Sequence, residues 1–220
     1  MEWKNDTELF RLMRQHLFTA IIGDVLDLQG FHHQFLMPEC RPLDPKMIVC
    51  GRAMTALEND VLEIPDPPFG LMLKALDDMR EHEVYCAAGS SPRYALWGEL
   101  MSTAARVRGA VGAVIAGYAR DTNGILAMNF PVFCYGSYAQ DQRGRGQVVD
   151  FRLPLEINGV VVRPGDIVFG DIDGVVVLPA EVEGLVVAKA LEQVRKEKAA
   201  RRMLLDGASA ETVFSETGVL

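Results

Sequence analysis

The chain carries too little positive charge to grip a polyanion: 22 lysines and arginines stand against 30 aspartates and glutamates, a net charge of −8. A nucleic acid held mainly through its phosphates would need a basic face, and so would an anionic lipid surface. Neither partner is expected. No apolar run approaches the roughly 18 residues that span a bilayer. The opening residues, MEWKNDTELF, are polar and acidic where a secretory signal would be apolar. Cysteine is scarce and scattered. Cys40, Cys50, Cys86 and Cys134 form no C-x-x-C pair, and three of them sit in apolar, strand-like text where a free thiol packs as a small hydrophobe. They are expected to be reduced thiols in a cytoplasm. The adjacent His32 and His33 point apart and make a poor chelate. No glycine-rich loop with a following acidic residue trails the first strand, which removes the main signature of a nucleoside cofactor. Repeats, low-complexity tracts and linkers are missing too, so residues 1–220 are expected to form a single domain.

What is present is a large apolar fraction, 49%, enough to bury a full core. Helical spacing runs from Glu8 to Leu28, with Thr19 placed to cap a second helix, TAIIGDVLDLQG, that stops at Gly30. These make a helical N-terminal segment over residues 6–30, with Asp24 and Asp27 on its solvated face. Ile48–Cys50 begins a strand that continues to Leu57. Prolines at 65–68 introduce a helix near Phe69–Met79, and His82–Ala88 is a strand that exits through Gly89-Ser90-Ser91-Pro92. A helix from Gly98 to Gly109 leads to Gly112–Ala116, a continuous apolar strand of the type buried on both faces in a parallel sheet. A short helix over Asp121–Met128 and a strand over Pro131–Tyr135 follow. The alternation β-α-β-α-β is that of parallel strands with crossover helices.

After a polar loop at Asp141–Gly146 the text changes to hairpins. Val148–Val162 reads as two strands meeting at Asn158-Gly159, the strongest short hairpin signal. Strands at Ile167–Phe169 and Val175–Leu178 flank Asp171-Ile172-Asp173-Gly174. That turn lacks the spaced oxygen ligands and closing glutamate of a calcium loop, so it is read as a hairpin. A long amphipathic helix, Ala180–Leu205, opens a C-terminal helical extension over residues 180–220, which closes with a short helix near Ala210–Glu216.

Chemistry concentrates between Trp97 and Asp121. In parallel sheets ligands sit at the carboxyl ends of the strands, and two such ends are loaded here. One leads to a helix start whose N–H groups, at Leu100 and Met101, are free to hold a carboxylate or phosphate. The other leads to Arg120-Asp121. Arg120 offers a planar fork for a carboxylate or a developing oxyanion. Asp121 offers the hard oxygen that Mg²⁺ or Mn²⁺ prefers, ions often held by one or two carboxylates with waters completing the shell. Taken singly, each piece also has an ordinary role: Glu99 in a first helical turn stabilises the macrodipole by roughly 0.3–1 kcal/mol with no catalytic duty.

The text GELMSTAARVRGAVGAVIAGYARDT, followed by FPVF and NGVVVRPGDIVFGDIDGVVVLP, resembles the RraA-like family, and the likeness extends more weakly to TAIIGDVLD and GRAMTA. The Gly-Glu-Leu and Arg-Asp elements, with Glu99 and Asp121 22 residues apart, are specific in combination. The family includes regulators of ribonuclease E activity and class II pyruvate aldolases acting on 4-hydroxy-4-methyl-2-oxoglutarate and related acids. The resemblance implies an α/β fold, a swivelling β/β/α sandwich, assembled as a homotrimer or a hexamer with sites between subunits. It implies a metal-dependent lyase or decarboxylase working through a pyruvate enolate. Asp121 would hold Mg²⁺ (or Mn²⁺), Arg120 would bind the 2-oxo acid, and Gly98, Leu100 and Met101 would form the carboxylate-binding segment. Glu99 would act through metal-bound water. Glu197 of a neighbouring subunit, or else Glu192, would complete the outer shell. The alternative is a non-catalytic regulator that binds an RNA-processing enzyme such as ribonuclease E. The long C-terminal helix matches the aldolases, which have one, and not the shorter regulators. The text around Tyr118 and Tyr138–Arg145 departs from the aldolases and leaves the far end of the substrate open. Arg52, Arg143 and Arg145 are candidates there, the last two also reading as a solvated loop.

Overall fold

The computed structural model describes residues 3–220. Two helices, α1 (Asp6–His16) and α2 (Thr19–Leu28), precede a two-residue strand β1 (Arg41–Pro42) and the long β2 (Val49–Asp60). The crossovers then run through α3 (Met72–Asp77), β3 (Glu83–Ala88), β4 (Ala95–Trp97), α4 (Glu99–Val107), β5 (Gly112–Ile115), β6 (Tyr118–Ala119), α5 (Thr122–Met128) and β7 (Val132–Cys134). The remainder comprises β8 (Gly146–Phe151), β9 (Leu155–Ile157), β10 (Val160–Val162), β11 (Ile167–Asp171), β12 (Gly174–Leu178), α6 (Glu183–Leu205) and α7 (Ala210–Thr217). Among the described residues no helix is long and apolar enough to cross a membrane.

The main sheet has the order β1-β7-β5-β3-β2-β11-β12, with β8 pairing the far half of β2. Strands β2, β3, β5 and β7 are mutually parallel, and β1, β8, β11 and β12 join antiparallel. The sheet nearly closes on itself, because Arg41 of β1 donates to the carbonyls of Ile172 and Asp173 in the β11–β12 turn.

The period-2 alternation of strands assigns its two faces. Cys50, Met54 and Ala56 of β2, with Tyr85 and Ala87 of β3, point toward the helices. Val49 and Ala53, with Val84 and Cys86, point toward the β9–β10 hairpin, which contributes Leu155, Ile157, Val160 and Val162. Hairpin, sheet and helices are the three layers of a β/β/α sandwich. All four cysteines are free and buried inside it, and burial raises every thiol, that of Cys50 to about 12.

Three local readings are corrected. Thr19 does not cap α2; Phe18 occupies the cap position without a side-chain bond. Thr19 instead gives its N–H (2.8 Å) and hydroxyl (2.6 Å) to the buried carboxylate of Asp171, so a β-strand residue satisfies the helix start. The helix expected near Phe69–Met79 is only Met72–Asp77, because Phe69 and Gly70 take positive φ values that a right-handed helix excludes. The short β4 and β6 were not expected at all.

Candidate active site

Those two unexpected strands build the site. β3 and β5 are parallel, as the β-α-β alternation predicted, and the structure makes them neighbours. Beyond them the chain does not turn directly into helices. It extends again as β4 and β6, which pair in parallel with Ala95 opposite Tyr118 and Trp97 opposite Ala119. The Arg120 N–H donates to the Trp97 carbonyl at 2.9 Å. This small ladder sets Gly98 beside Arg120-Asp121. A Cβ at Gly98 would lie 3.1 Å from Asp121 Oδ2 and 3.4 Å from Arg120 Cγ. Glycine here keeps open the space next to the carboxylate.

Gly98 is the extended N-cap of α4 and offers no side-chain cap to the first amides, including those of Leu100 and Met101. Those N–H groups and the positive end of the helix therefore point out of the chain without an internal competitor. Trp97 is fixed by its indole N–H, which donates to Ser102 Oγ at 2.7 Å, while Ser102 Oγ donates to the Gly98 carbonyl at 3.0 Å. Glu99 lies across α5 at Gly124, where a Cβ would come within 2.2 Å of Glu99 Oε2.

Arg120 is held from two sides: Nε reaches Asp121 Oδ2 at 3.3 Å, and Nη1 reaches Asp141 Oδ1 at 3.0 Å. Asp141 escaped the sequence reading, which left it in a polar loop. Its position comes from a backbone bridge, the Ala95 N–H donating to the Gln140 carbonyl at 2.8 Å, that no local pattern announces. Asp121 sits in the left-handed region (φ 56°, ψ 36°) at the start of α5, yet its carboxylate makes no capping bond. The carboxylate thus gives the start of α5 nothing in return for its backbone conformation and is left with the Arg120 contact.

These groups close the polar end of a cavity of about 370 Å³. Its walls are apolar, with Phe69, Met72, Leu76, Leu96, Trp97 and Met101 prominent, and Asp141 and Gln142 stand beside Arg120 and Asp121. Size and lining suit a small molecule with an anionic head.

The structure does not bring every candidate here. Arg52 is at the opposite end of β2, aligned with Glu83, and is engaged by Asp6 and Glu183; it is not available to a substrate carboxylate at this cavity. Arg143 and Arg145 are exposed in their loop, Arg145 donating to the carbonyls of Asp141 and Arg143. Glu197 lines a separate groove with Asp24, Arg201 and Phe214, and burial and the Asp24 charge raise its carboxyl. Glu192 pairs with Lys196 at 2.9 Å on the exposed side of α6.

Among the described residues no three His, Cys, Asp or Glu side chains cluster as a metal cage. The donor set nevertheless fits Mg²⁺ or Mn²⁺, which take one or two carboxylates and keep several waters. Asp121 supplies a hard, half-exposed oxygen with only a long contact to Arg120, facing the room that Gly98 leaves.

Residues 19–177 match the profile of a family described as RraA-like: Aldolase/RraA. Protein DlpA of Legionella pneumophila is 30% identical over 194 residues, 88% of this chain but 31% of that protein, so the chain spans about a third of it. A Halalkalibacterium halodurans protein named "Putative 4-hydroxy-4-methyl-2-oxoglutarate aldolase" is 30% identical over 200 residues, 90% of each chain. The crystal structure of an uncharacterized protein from Pseudomonas syringae pv. tomato superposes with a TM-score of 0.86 at 25% identity, covering 98% of this chain and 97% of that one.

Proposed function

Since the chain belongs to the RraA-like family, we propose that it is a divalent-metal-dependent lyase cleaving a C–C bond of a small 2-oxo acid such as 4-hydroxy-4-methyl-2-oxoglutarate, with oxaloacetate decarboxylation as a companion activity. The observation that carries this reading is the convergence of an uncapped helix start with the Arg120-Asp121 pair at the polar end of an apolar cavity.

The amides of Leu100 and Met101 hold the substrate carboxylate at the positive end of α4. Arg120, fixed by Asp121 and Asp141, presents its guanidinium to the oxygen on which negative charge grows as the bond breaks. Glu99, exposed beside Gly124 and outside the cavity lining, would take the proton of the substrate hydroxyl through an intervening water, which turns that carbon into a carbonyl as the pyruvate fragment leaves as its enolate. Trp97, Leu96 and Met101 keep water from that fragment until it is protonated. Asp121 would hold Mg²⁺ or Mn²⁺, with Glu99 and Glu197 of a neighbouring copy in the outer shell; once bound, the cation supplies Lewis-acid stabilisation of the same developing charge. The assembly this implies is a homotrimer or hexamer acting in the cytoplasm.

The test is pyruvate release, coupled to NADH oxidation by lactate dehydrogenase, from 4-hydroxy-4-methyl-2-oxoglutarate and from oxaloacetate. Turnover is expected with Mg²⁺ or Mn²⁺, lost in chelator and restored by metal. Absence of pyruvate from both substrates refutes the lyase.

A further inference from the structure

Beyond the residues that hold the substrate head, the cavity has two unlike sides. Gln142 supplies a polar one; it is buried and tied through Nε2 to Glu58 Oε2 at 2.6 Å. Glu58 is itself 1% exposed, and burial raises its carboxyl to about 8. The other side is built from two helices. α3 contributes Met72, Leu73 and Leu76, and α4 contributes Leu100, Met101 and Ala104. Spacings of three and four residues gather each set on one face of its helix. These side chains carry no hydroxyl, amide or charge.

The α4 face runs away from the head. Ala104 lies ~9 Å along the helix axis from Gly98, at ~1.5 Å per residue, so a group that reaches it extends from the end of the substrate remote from the carboxylate. Phe69 stands at the entry to α3 with φ 70°, an outlier for a bulky residue. Two backbone bonds with β8 hold it there: the Val148 N–H donates to the Phe69 carbonyl at 3.1 Å, and the Leu71 N–H to the Val148 carbonyl at 2.8 Å. Trp97, the other aromatic of the lining, packs against the rings of Tyr85 and Phe130 at centroid distances of 4.9 and 6.3 Å. The apolar side is therefore preformed. At about 370 Å³ the whole cavity falls in the range of pockets that enclose drug-sized ligands, ~300–1,000 Å³. A methyl group would leave most of the apolar side bare, including Leu73 and Leu100, which are 56% and 82% exposed.

We propose that carbon 4 of this protein's 2-oxo acid carries an alkyl or aryl group larger than the methyl of 4-hydroxy-4-methyl-2-oxoglutarate, and that the α3–α4 face receives it. This rests on the 2-oxo acid reading of the site and supplies the substituent that reading leaves open. Cleavage breaks the bond between carbons 3 and 4. Its electron pair stays on carbon 3 as the pyruvate enolate, the hydroxyl proton leaves, and carbon 4 departs as a carbonyl still bearing its apolar group.

The decisive comparison is between 4-methyl-2-oxoglutarate and 4-(2-methylpropyl)-2-oxoglutarate. Both carry the same carboxylates, and neither has the hydroxyl that cleavage needs, so calorimetry with Mg²⁺ present reads affinity without turnover. Each methylene moved from water into apolar surroundings is worth about fourfold, so the unmodified protein is expected to bind the larger acid at least ~tenfold more tightly. Ala104→Phe, at an exposed helix position, fills the far end of the face and should bring the ratio below ~threefold. Leu73→Ser, also exposed, should lower the ratio at least ~threefold. Equal affinity in the unmodified protein, binding of neither acid, or a ratio that survives both substitutions overturns the proposal. So does a variant that changes oligomeric state on gel filtration while the ratio holds, because the exposed leucines then belong to a contact between copies. Pyruvate release from 4-hydroxy-4-methyl-2-oxoglutarate, measured in parallel, tests the lyase separately: a protein that releases pyruvate but binds both acids equally keeps that reading and loses this one.

Discussion

Replacing Asp121 should separate activity from stability. Its backbone lies at φ 56°, ψ 36°, a region that costs an ordinary L-residue about 1–2 kcal/mol and asparagine or aspartate less. Little in the fold offsets that cost. The carboxylate caps no amide, and its contact with Arg120 is a 3.3 Å pair between side chains 42% and 35% exposed. A pair so exposed contributes less than ~1 kcal/mol. Asp121→Gly, which relieves the backbone and loses only this pair, is therefore expected to be stabilising by between zero and ~1 kcal/mol, a rise of up to ~4 °C in Tm. Asp121→Asn, which tolerates the same conformation, should stay within ~0.5 kcal/mol. Both should lower pyruvate release at least ~100-fold, the scale on which loss of a charge-stabilising element acts. Urea denaturation and the coupled pyruvate assay measure the two halves. A loss of more than ~2 kcal/mol in Asp121→Asn would make this residue a structural element, and retained turnover would remove it from the site.

Glu58 should make stability depend on pH in the direction opposite to most carboxylates. Its folded value of about 8 lies above the ordinary 4.5, so through that window the folded chain keeps a proton the unfolded chain has lost. Stability then falls as pH rises and levels off above about 8. Glu58→Gln should flatten this dependence and gain up to ~3 kcal/mol at neutral pH; an unchanged pH profile of the urea midpoint would contradict it. Asp171→Asn should cost ~1–3 kcal/mol, because Asp171 accepts from the Thr19 N–H and hydroxyl and from the Asp173 N–H at 2.9 Å. The check is a lower urea midpoint with an unchanged slope. Arg120→Lys should leave stability within ~0.5 kcal/mol. It should also reduce kcat ~10–100-fold, since a single ammonium cannot face Asp121 and Asp141 while presenting a planar fork to the substrate.

The parallel core was legible because its strands are short apolar runs bounded by glycine, and buried strands such as Glu83–Ala88 and Gly112–Ile115 need little else. The Asn158-Gly159 hairpin was legible for a similar reason, its turn chemistry being local. What escaped depends on pairing between distant segments. β4 and β6 are too short to show a period, and only their meeting makes them strands. Asp141 and Gln142 read as loop because their placement comes from Ala95, far away in the chain. Thr19 looked like a cap because serine, threonine and aspartate caps share one local signature, and the acceptor that replaced it comes from Asp171. Glu58 carried no signal at all: a lone glutamate at the end of a strand ordinarily reads as its solvated edge.

The two-rung ladder of β4 and β6 has a consequence for how such a protein diversifies. The groups that grip the head of the substrate are fastened to each other, Gly98 to Arg120 through the Trp97 carbonyl, and only indirectly to the strands beneath. The segment from Tyr138 to Arg145, which carries Asp141 and Gln142, hangs from the same ladder at two points, the Tyr138 N–H on the Ala119 carbonyl and the Ala95 N–H on the Gln140 carbonyl, each at 2.8 Å. Insertions and exchanges in that segment that spare Asp141 and these two bonds can therefore reshape the tail of the cavity while its head stays in register. Such a scaffold lets substrate range drift by loop change alone, with the bond-breaking end inherited intact.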